Sequence, residues 1–281
     1  MDINEYYVSD KHPMYVQHWK PLQPDGGGLP LILVHGGAHS GVCWTSCPDG
    51  RPGWALHLVN KGRSVHVVDW PGVGRSPRPD DFLTAGPAPA VNSLIDLIRQ
   101  IGPVALIGHS IGAAIGVKVA DLIPDMICAF IAIAPAAPGI RESGRPRAPI
   151  TAPVRFDDAA VRQFFTNADR FPKAHVDVYK RSLCDLSPSI YNIVAGQGSN
   201  HALSVADLQR LRSIPSAVIA AEQDVLVTED MSREVAEFLN AELVFVGRDW
   251  GLQGFGHMML IETGSEAIVD RILDWLSAHA K

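Results

Sequence analysis

The stretch Leu106–Lys118, LIGHSIGAAIGVK, places one serine between two glycines where an apolar run meets a run of small residues. Glycine inside a regular element costs stability, so the three glycines of this stretch need a structural reason. The run before the serine, PVALIGH, is apolar and typical of a buried strand. The run after it, IGAAIGVKVADLI, is typical of a helix that ends before Pro124. The stretch therefore predicts a strand, a sharp turn at Ser110 and a helix.

The rest of the chain repeats this alternation of strand and helix patterns. The predicted strands are MYVQHWK, LPLILVHGG, SVHVVD, PVALIGHS, MICAFIAIAP, SAVIAAEQD and AELVFVG. Helical spacing is found in GWALHLVNKG, VNSLIDLIRQIG, IGAAIGVKVADLI, TEDMSREVAEFLN and GSEAIVDRILDWLSAHA. Strands that are apolar on both faces and separated by helices indicate a parallel sheet with helices on both sides. The predicted fold class is α/β.

The alternation stops between Gly139 and about His201, where prolines and aromatic residues are frequent. The prolines are Pro138, immediately before this stretch, and Pro146, Pro149, Pro153, Pro172 and Pro188 within it. The aromatic residues are Phe156, Phe164, Phe165, Phe171, Tyr179 and Tyr191. A structureless loop of this length would be unusual inside a compact domain. We therefore predict a small, mainly helical insertion at 139–200, with 1–138 and 201–281 forming the core domain.

Composition limits the classes of function. The chain has 281 residues, of which 47% are hydrophobic and 19% charged, enough for a large core with an inserted subdomain. The net charge is 24 − 30 = −6, and no cluster of Lys and Arg indicates a face for nucleic acid. The first 20 residues lack the apolar core of a signal peptide, and no stretch approaches the length of a membrane span. We expect a soluble cytoplasmic protein with no nucleic-acid partner and no membrane span.

Cysteines and paired histidines give no signal for a disulfide framework or a metal site. The four cysteines, Cys43, Cys47, Cys128 and Cys184, are too few for a framework and lack zinc-ribbon spacing. We expect reduced thiols, and a bond between Cys43 and Cys47 in an oxidising compartment is the alternative. His35 and His39 have i, i+4 spacing, but they share a glycine loop that is not expected to be helical, so we expect no metal.

The predicted turn at Ser110 has the features of a nucleophile. In a G-x-S-x-G turn between strand and helix, the serine is held in a strained backbone conformation and its neighbours two residues away crowd the turn. Gly108 and Gly112 lack the Cβ atoms that would clash there. The hydroxyl then lies above the strand ends at a helix N-terminus, where anions are favoured. An ordinary glycine turn is the alternative, but the strand–turn–helix context favours the nucleophile.

A serine hydroxyl is a weak nucleophile at neutral pH and needs a base within hydrogen-bond reach. Among the eleven histidines, His257 in GFGHMML lies between the last predicted strand and the last helix, where parallel sheets assemble their sites. His109 adjoins the serine, so we expect its side chain to leave the turn in another direction. His66, within a strand, and His57, within a helix, are expected to be structural.

The base in turn needs a carboxylate that holds its tautomer and stabilises the imidazolium. Asp224, in VIAAEQDVLV, lies at or just beyond the end of a strand and is our preferred candidate. Glu222 lies nearer the strand body, a place for packing or a capping bond, and remains an alternative. Asp249, close to His257 in sequence, is a third candidate. With Asp224 the chain order is Ser, Asp, His.

Acyl transfer also requires hydrogen-bond donors for the oxyanion that forms. The backbone N–H of Ile111, directly after the serine, is one candidate. The other is expected in the loop after LILVHGG, where the sequence HGGA occupies residues 35–38. We favour the amide of Gly37, with Ala38 as second choice and a plain glycine turn as the structural alternative.

Taken together, these motifs resemble the α/β-hydrolase superfamily over almost the whole chain. They are HGGA after an early strand, DWPGVGRS at Asp69–Ser76, GHSIG at the turn, AEQD late in the chain and GFGH before the final helix. The resemblance implies an eight-stranded, mostly parallel sheet, a lid inserted after the sixth strand, and no cofactor. DWPGVGRS resembles the D-x-x-G-x-G-x-S turn of that family, which is structural. Ala221 stands where the acid loop of the family usually begins with glycine.

The resemblance and the candidate residues lead to the same expected activity. We expect a serine hydrolase that cleaves a carboxylic ester or related acyl compound through an acyl-enzyme. Hydrolysis of C–C bonds, lactones, amides or thioesters is the alternative, because fold and triad are shared and specificity depends on the lid. A non-catalytic ligand-binding protein is a further alternative. The expected partner is a small apolar or aromatic acyl compound, and a homodimer is compatible with the sequence.

Overall fold

A central β-sheet organises the protein. The computed structural model describes residues 1–24, 28–136, 148–195 and 203–280. The strands are β1 Asp2–Val8, β2 Met14–Lys20, β3 Leu31–Val34, β4 Val65–Asp69, β5 Val104–His109, β6 Ile127–Ile133, β7 Ser216–Ala220 and β8 Glu242–Phe245. They form one eight-stranded sheet in the order β1-β2-β4-β3-β5-β6-β7-β8. β2 is antiparallel to β1 and β4, and all other neighbours are parallel, so the expected eight-stranded, mostly parallel sheet is confirmed.

Among the strands in the described residues, β1 is the one that hydrophobic patterning does not predict. Its sequence, DINEYYV, is largely polar, and most of its residues are exposed at the edge of the sheet. Its backbone pairs along its whole length with β2, from Asp2 opposite Lys20 to Val8 opposite Met14. Because backbone hydrogen bonds hold an edge strand, an apolar pattern is not required for it to form.

Helices cover both faces of the sheet, as predicted. They are α1 Val42–Thr45, α2 Trp54–Asn60, α3 Ala88–Ile101, α4 Ile111–Leu122, α5 Asp158–Ala160, α6 Val176–Ser182, α7 Pro188–Val194, α8 Leu208–Arg212, α9 Glu229–Leu239 and α10 Glu266–His279. Alternate residues of β3 divide between two core layers. Leu31 and Leu33 pack with residues of α1, α2 and α10. Ile32 and Val34 pack with residues of α3, α4 and α9.

The described part of the predicted insertion, residues 148–195, contains short helices between β6 and α8. Helix α5 continues into a π-helical turn at Val161–Phe165, and a 3₁₀ turn at Lys173–His175 leads into α6. A two-residue bridge between Val154 and Leu186 joins the two sides of this segment. The predicted boundaries at 138/139 and 200/201 lie outside the described residues.

Two further expectations concern a disulfide bond and a membrane span. All four cysteines are free thiols, so the alternative bond between Cys43 and Cys47 is not formed. Within the described ranges, no helix combines the length and the apolar character that crossing a bilayer requires.

Candidate active site

Ser110 occupies a strained turn between β5 and α4. Its backbone angles are φ 53° and ψ −120°, a region that residues with a Cβ atom rarely adopt. The turn is held on both sides, because the Ser110 amide donates to the carbonyl of Ile133 at 2.9 Å and its carbonyl accepts from the amide of Ala136 at 3.1 Å. The sharp strand–turn–helix predicted from the sequence is therefore present.

The two glycines that flank this turn are needed for close backbone approach. A Cβ atom on Gly108 would lie 2.6 Å from the Cα of Ala113, within the first turn of α4. A Cβ atom on Gly112 would lie 2.2 Å from the carbonyl oxygen of His35, in the loop after β3. Real Cβ atoms do not approach backbone this closely, so the predicted reason for both glycines is confirmed.

Asp224 and His257 form a buried hydrogen-bonded pair. The two side chains meet at 2.8 Å between His257 Nδ1 and Asp224 Oδ2, and each is 1% exposed. The other carboxylate oxygen of Asp224 accepts from the amides of Leu226 at 2.9 Å and Val227 at 2.8 Å, which fixes the carboxylate relative to its loop. Because a carboxylate only accepts, Nδ1 of His257 carries a hydrogen, and in the neutral form of the ring Nε2 bears the lone pair.

The other two candidate carboxylates are bound to backbone amides elsewhere. Glu222 accepts from the amides of Gly247 at 3.0 Å and Arg248 at 2.8 Å, in the loop after β8. Asp249 accepts from the amide of Phe245 at 2.7 Å. Of the three acids considered, Asp224 is the one that the structure brings to His257, despite the alanine at position 221.

His109 connects the loop of His257 to the turn at Ser110. Its Nε2–H donates to the carbonyl oxygen of His257 at 2.9 Å, and the two imidazole rings are 4.9 Å apart. Burial places the pKa of His109 well below its usual value, so the ring is neutral at physiological pH. Among the described residues, no hydrogen bond joins the Ser110 hydroxyl to the ring of His257. Such bonds are often long in the absence of substrate and tighten when it binds.

The two residues whose amides are the candidate oxyanion donors, Gly37 and Ile111, lie against each other. A Cβ atom on Gly37 would lie 2.5 Å from Cδ1 of Ile111, and one on Gly36 would lie 3.1 Å from Cβ of Ser110. The loop after β3 therefore packs directly on the turn at Ser110. The amide of Ile111 lies in the first turn of α4, where N–H groups have no partner inside the helix. Ala38 has a positive φ of 61°, so the chain reverses immediately after Gly37.

His39 holds the backbone of this loop, a role that sequence reasoning missed. Burial lowers the pKa of His39 to about 3, so its ring is neutral. Nδ1–H donates to the carbonyl of Gly37 at 2.7 Å, which leaves Nε2 to accept the hydroxyl of Tyr179, also at 2.7 Å. The only sequence signal for this role is the glycine loop that His39 shares with His35. Tyr179 lies 140 residues away.

The remaining histidines considered from the sequence lie in structural positions. Nε2 of His35 accepts from the amide of Trp70 at 3.3 Å. His57 contacts Asp270 of α10 at 2.8 Å, and His66 stacks on His18 with ring centroids 3.9 Å apart. In the described part of the chain, no group of three or more His, Cys, Asp or Glu side chains could hold a metal ion.

The DWPGVGRS segment forms a turn that anchors the loop after β3. The carboxylate of Asp69 accepts from the amide of Gly41 at 2.6 Å and from that of Arg75 at 2.8 Å. Its carbonyl accepts from the Ser76 hydroxyl, which itself accepts from the amide of Tyr15. These contacts are structural, as the resemblance implied.

The 148–195 segment is hydrogen-bonded to the loop after β3 and to the loop that carries Asp224. The amide of Cys184 donates to the carbonyl of Ala38 at 2.8 Å, beside Gly37. The Asn167 side chain donates to the carbonyl of Gln223, next to Asp224, at 2.7 Å.

The same segment also lies beside His257. The amide of Arg170 donates to the carbonyl of Gly254 at 3.0 Å, in the loop that carries this histidine. The ring of Phe165, from the π-helical turn, is 5.8 Å from that of His257 and 5.5 Å from that of His39. The segment therefore packs directly over the candidate site.

Glu262 is a second acid near the pair that sequence reasoning missed. It is fully buried, and its Oε2 accepts from the amide of Gly256 at 2.8 Å. Burial raises the pKa of Glu262 to about 8. The sequence signal was a lone acidic residue closing the apolar run MMLIE.

Comparison with known proteins agrees with this fold. The model of the alpha/beta hydrolase family matches residues 31–271. A probable secreted lipase, phiG, of a fungal species (strain ATCC 74256) is 23% identical over 341 aligned positions, covering 96% of this chain and 88% of the relative.

Solved structures are similar over nearly the full length. An esterase from Thermogutta terrifontis superposes with a TM-score of 0.71 at 15% identity, covering 99% of this chain and 100% of the esterase. A thioesterase domain from the curacin biosynthetic pathway has a TM-score of 0.66 at 19% identity, covering 98% and 100% of the respective chains. With the family match over most of its length, the chain belongs to the alpha/beta hydrolase family.

Proposed function

We propose that this protein is a serine hydrolase that cleaves carboxylic esters or related acyl compounds through an acyl-enzyme intermediate. The observation that carries the proposal is the buried hydrogen bond between His257 Nδ1 and Asp224 Oδ2, whose histidine is joined through His109 to the strained turn of Ser110. A buried carboxylate that fixes the histidine tautomer leaves Nε2 as the base.

In the first half of the reaction, Ser110 Oγ attacks the substrate carbonyl carbon, and its proton passes to Nε2 of His257. The carbonyl π-bond becomes a tetrahedral oxyanion, stabilised by the amides of Gly37 and Ile111. The bond to the leaving oxygen then breaks, and the alcohol takes the proton from His257. Asp224 stabilises the imidazolium that exists between these proton transfers.

In the second half, water attacks the acyl-enzyme while Nε2 of His257 accepts its proton. The second tetrahedral species expels Ser110, which recovers a proton from His257, and the carboxylic acid leaves. Each cycle consumes one ester and one water and regenerates the enzyme. No cofactor is required by these steps.

We infer that the segment 139–200 is a lid and that the substrate carries an apolar or aromatic group. Ser110 is 7% exposed and the described part of the segment packs over the site, so we expect the segment to move when substrate enters. The described part of that segment contributes aromatic rings beside the site: Phe165 packs on His257, and Phe156 lies 4.9 Å from Phe165. Aromatic walls of this kind favour apolar ligands with few polar groups.

The same groups would also cleave thioesters, lactones, amides or C–C bonds. The structural likeness to a thioesterase domain keeps thioesters as the second candidate class. A binding protein without turnover is the remaining alternative. A cytoplasmic location remains our proposal, supported by the four free thiols.

The experiment that tests the proposal compares wild-type protein with Ser110→Ala on p-nitrophenyl esters of increasing chain length, lactones, thioesters and aryl ketone substrates. Ser213→Ala, at an exposed serine that caps the C-terminal end of α8, is the matched control. We expect Ser110→Ala to abolish turnover and fluorophosphonate labelling while the protein stays folded. Turnover that persists in Ser110→Ala contradicts the mechanism, and wild-type protein that neither reacts nor labels favours the binding protein.

A further inference from the structure

The carboxyl group of Glu262 lies directly beneath the loop that presents His257. Its Oε2 accepts from the amide of Gly256, the residue before His257, at 2.8 Å. Its Oε1 has no hydrogen-bond partner within the described residues, although the side chain is fully buried. A buried acid with a free oxygen is costly unless the site needs it, so its position calls for a role.

We propose that Glu262 is a positioning residue, which holds the backbone at Gly256 so that the ring of His257 stays against Asp224. The proposal rests on the function proposed above, because it gives Glu262 a part in the same site. Glu262 acts through the backbone and not on substrate.

The space around Gly256 shows how tightly this backbone is set. A Cβ atom there would lie 2.7 Å from Cβ of Ala168, 3.3 Å from the carbonyl oxygen of Gln223 and 3.5 Å from Oε1 of Glu262. The peptide before His257 is therefore enclosed by the 148–195 segment, the Asp224 loop and the Glu262 carboxyl. Within this confined space, Oε2 of Glu262 determines the direction in which the N–H of Gly256 points.

The charge state of Glu262 fits this position. Burial is the main cause that raises its pKa to about 8, and the nearby charge of Asp224 raises it further. The hydrogen bond from Gly256 and the cations Lys173 and Arg170 act in the opposite direction. At neutral pH the group is therefore protonated, and Asp224 remains the single negative charge beside His257. Above about pH 8 a second buried charge would form next to Asp224.

Two substitutions distinguish the effect of the hydrogen-bond acceptor of Glu262 from the effect of its charge. Glu262→Leu removes the acceptor for Gly256, and we expect kcat to fall by about 10- to 100-fold with KM little changed, since small displacements of a reacting group are this costly. Glu262→Gln keeps an acceptor oxygen but cannot ionise. We expect it to restore most of kcat at pH 7 and to keep activity above pH 8, where the wild-type rate declines.

The measurements are kcat and KM on a p-nitrophenyl ester from pH 6 to 10, with Glu237→Gln on the exposed face of α9 as the control. Amide hydrogen exchange at residues 255–258 is measured on the same proteins. We expect faster exchange at Gly256 in Glu262→Leu than in Glu262→Gln. Wild-type kcat in Glu262→Leu, or the same decline above pH 8 in Glu262→Gln as in wild type, would overturn the proposal.

Hydrogen exchange also separates this proposal from the function on which it rests. If the wild-type protein shows no hydrolysis and Ser110 is not labelled, the proposed function fails whatever happens at Gly256. If hydrolysis is present and exchange at Gly256 is unaffected by Glu262→Leu, the positioning role fails alone.

Discussion

The hydroxyl of Tyr179 lies 2.7 Å from Nε2 of His39, so that a side chain of α6 is hydrogen-bonded to the loop after β3. The opposite nitrogen of the same ring donates to the carbonyl of Gly37. One neutral imidazole therefore connects the 148–195 segment to the backbone that we propose stabilises the oxyanion. The position of that segment and the geometry of the loop are linked through two hydrogen bonds.

Tyr179→Phe tests this link. The substitution leaves Nε2 of His39 buried without a donor, and such an orphaned acceptor costs about 1–3 kcal/mol. We expect the loop at Gly37 to loosen and kcat to fall about tenfold. A loss of about 1.4 kcal/mol in the stabilisation of the transition state lowers the rate tenfold. Steady-state kinetics on an ester substrate measure the effect, with Tyr191→Phe in α7 as the control. Equal kcat values for the two variants would show that the link has no catalytic effect.

Asp224→Asn tests the carboxylate of the proposed triad. An amide can donate to Nδ1 of His257, which favours the wrong tautomer and places the hydrogen on Nε2. We expect kcat to fall by about 10³- to 10⁴-fold, while the fold remains intact because the loop amides of Leu226 and Val227 keep an acceptor.

The control for Asp224→Asn is Asp249→Asn, in which the amide of Phe245 also keeps an acceptor. Its kcat should stay at the wild-type value. Comparable losses in the two variants would mean that Asp224 serves only to hold its loop.

The sheet and the turn at Ser110 could be predicted from the sequence because both depend on local patterns. Apolar runs identify the buried strands, and glycines at positions 108 and 112 mark a close backbone approach. The sequence does not predict β1, because an edge strand is held by backbone pairing and needs no apolar pattern.

The site was harder to predict where contacts join distant parts of the chain. The sequence leaves three carboxylates as possible partners of His257. Two of them are excluded by contacts at the end of β8 and just beyond it, where Asp249 binds the amide of Phe245 and Glu222 binds that of Gly247. Nothing local distinguishes a capping carboxylate from an orienting one. The contact between His39 and Tyr179 joins residues 140 positions apart, so no local pattern contains it.

Gly112→Ala tests the packing of the Ser110 turn against the loop after β3. The added Cβ would meet the carbonyl oxygen of His35 at 2.2 Å, and backbone on both sides leaves it no room to move. We expect the free energy of unfolding to fall by about 3 kcal/mol, at the upper end of overpacking costs, together with loss of activity. Denaturant unfolding measures the change.

Gly116→Ala, one turn further along α4, is the comparison for Gly112→Ala. Its Cβ would meet side-chain atoms, a ring atom of Phe130 at 2.7 Å and Cδ2 of Leu106 at 3.3 Å, and side chains adjust more readily than backbone. We therefore expect a smaller loss of stability. A larger loss in Gly116→Ala than in Gly112→Ala would contradict the backbone contact.

His66→Phe tests the effect of acid on stability. Burial lowers the pKa of His66 to about 3 in the folded protein, whereas an unfolded histidine titrates near 6.5. As the pH falls below about 6.5, the unfolded chain therefore binds a proton that the folded protein does not, and the free energy of unfolding decreases. At pH 5 the resulting loss in the free energy of unfolding is about 2 kcal/mol. It corresponds to about 1.4 kcal/mol per pH unit over the roughly 1.5 units between pH 6.5 and pH 5.

A phenylalanine keeps an aromatic ring against His18 but has no proton to bind. We therefore expect the decrease in unfolding free energy between pH 7 and pH 5 to be smaller in His66→Phe than in wild type by about 2 kcal/mol. Urea unfolding at the two pH values measures it, with His279→Phe, an exposed position on α10, as the control. If wild type and His66→Phe lose the same stability on acidification, His66 is protonated in the folded protein and the stacked pair tolerates the charge.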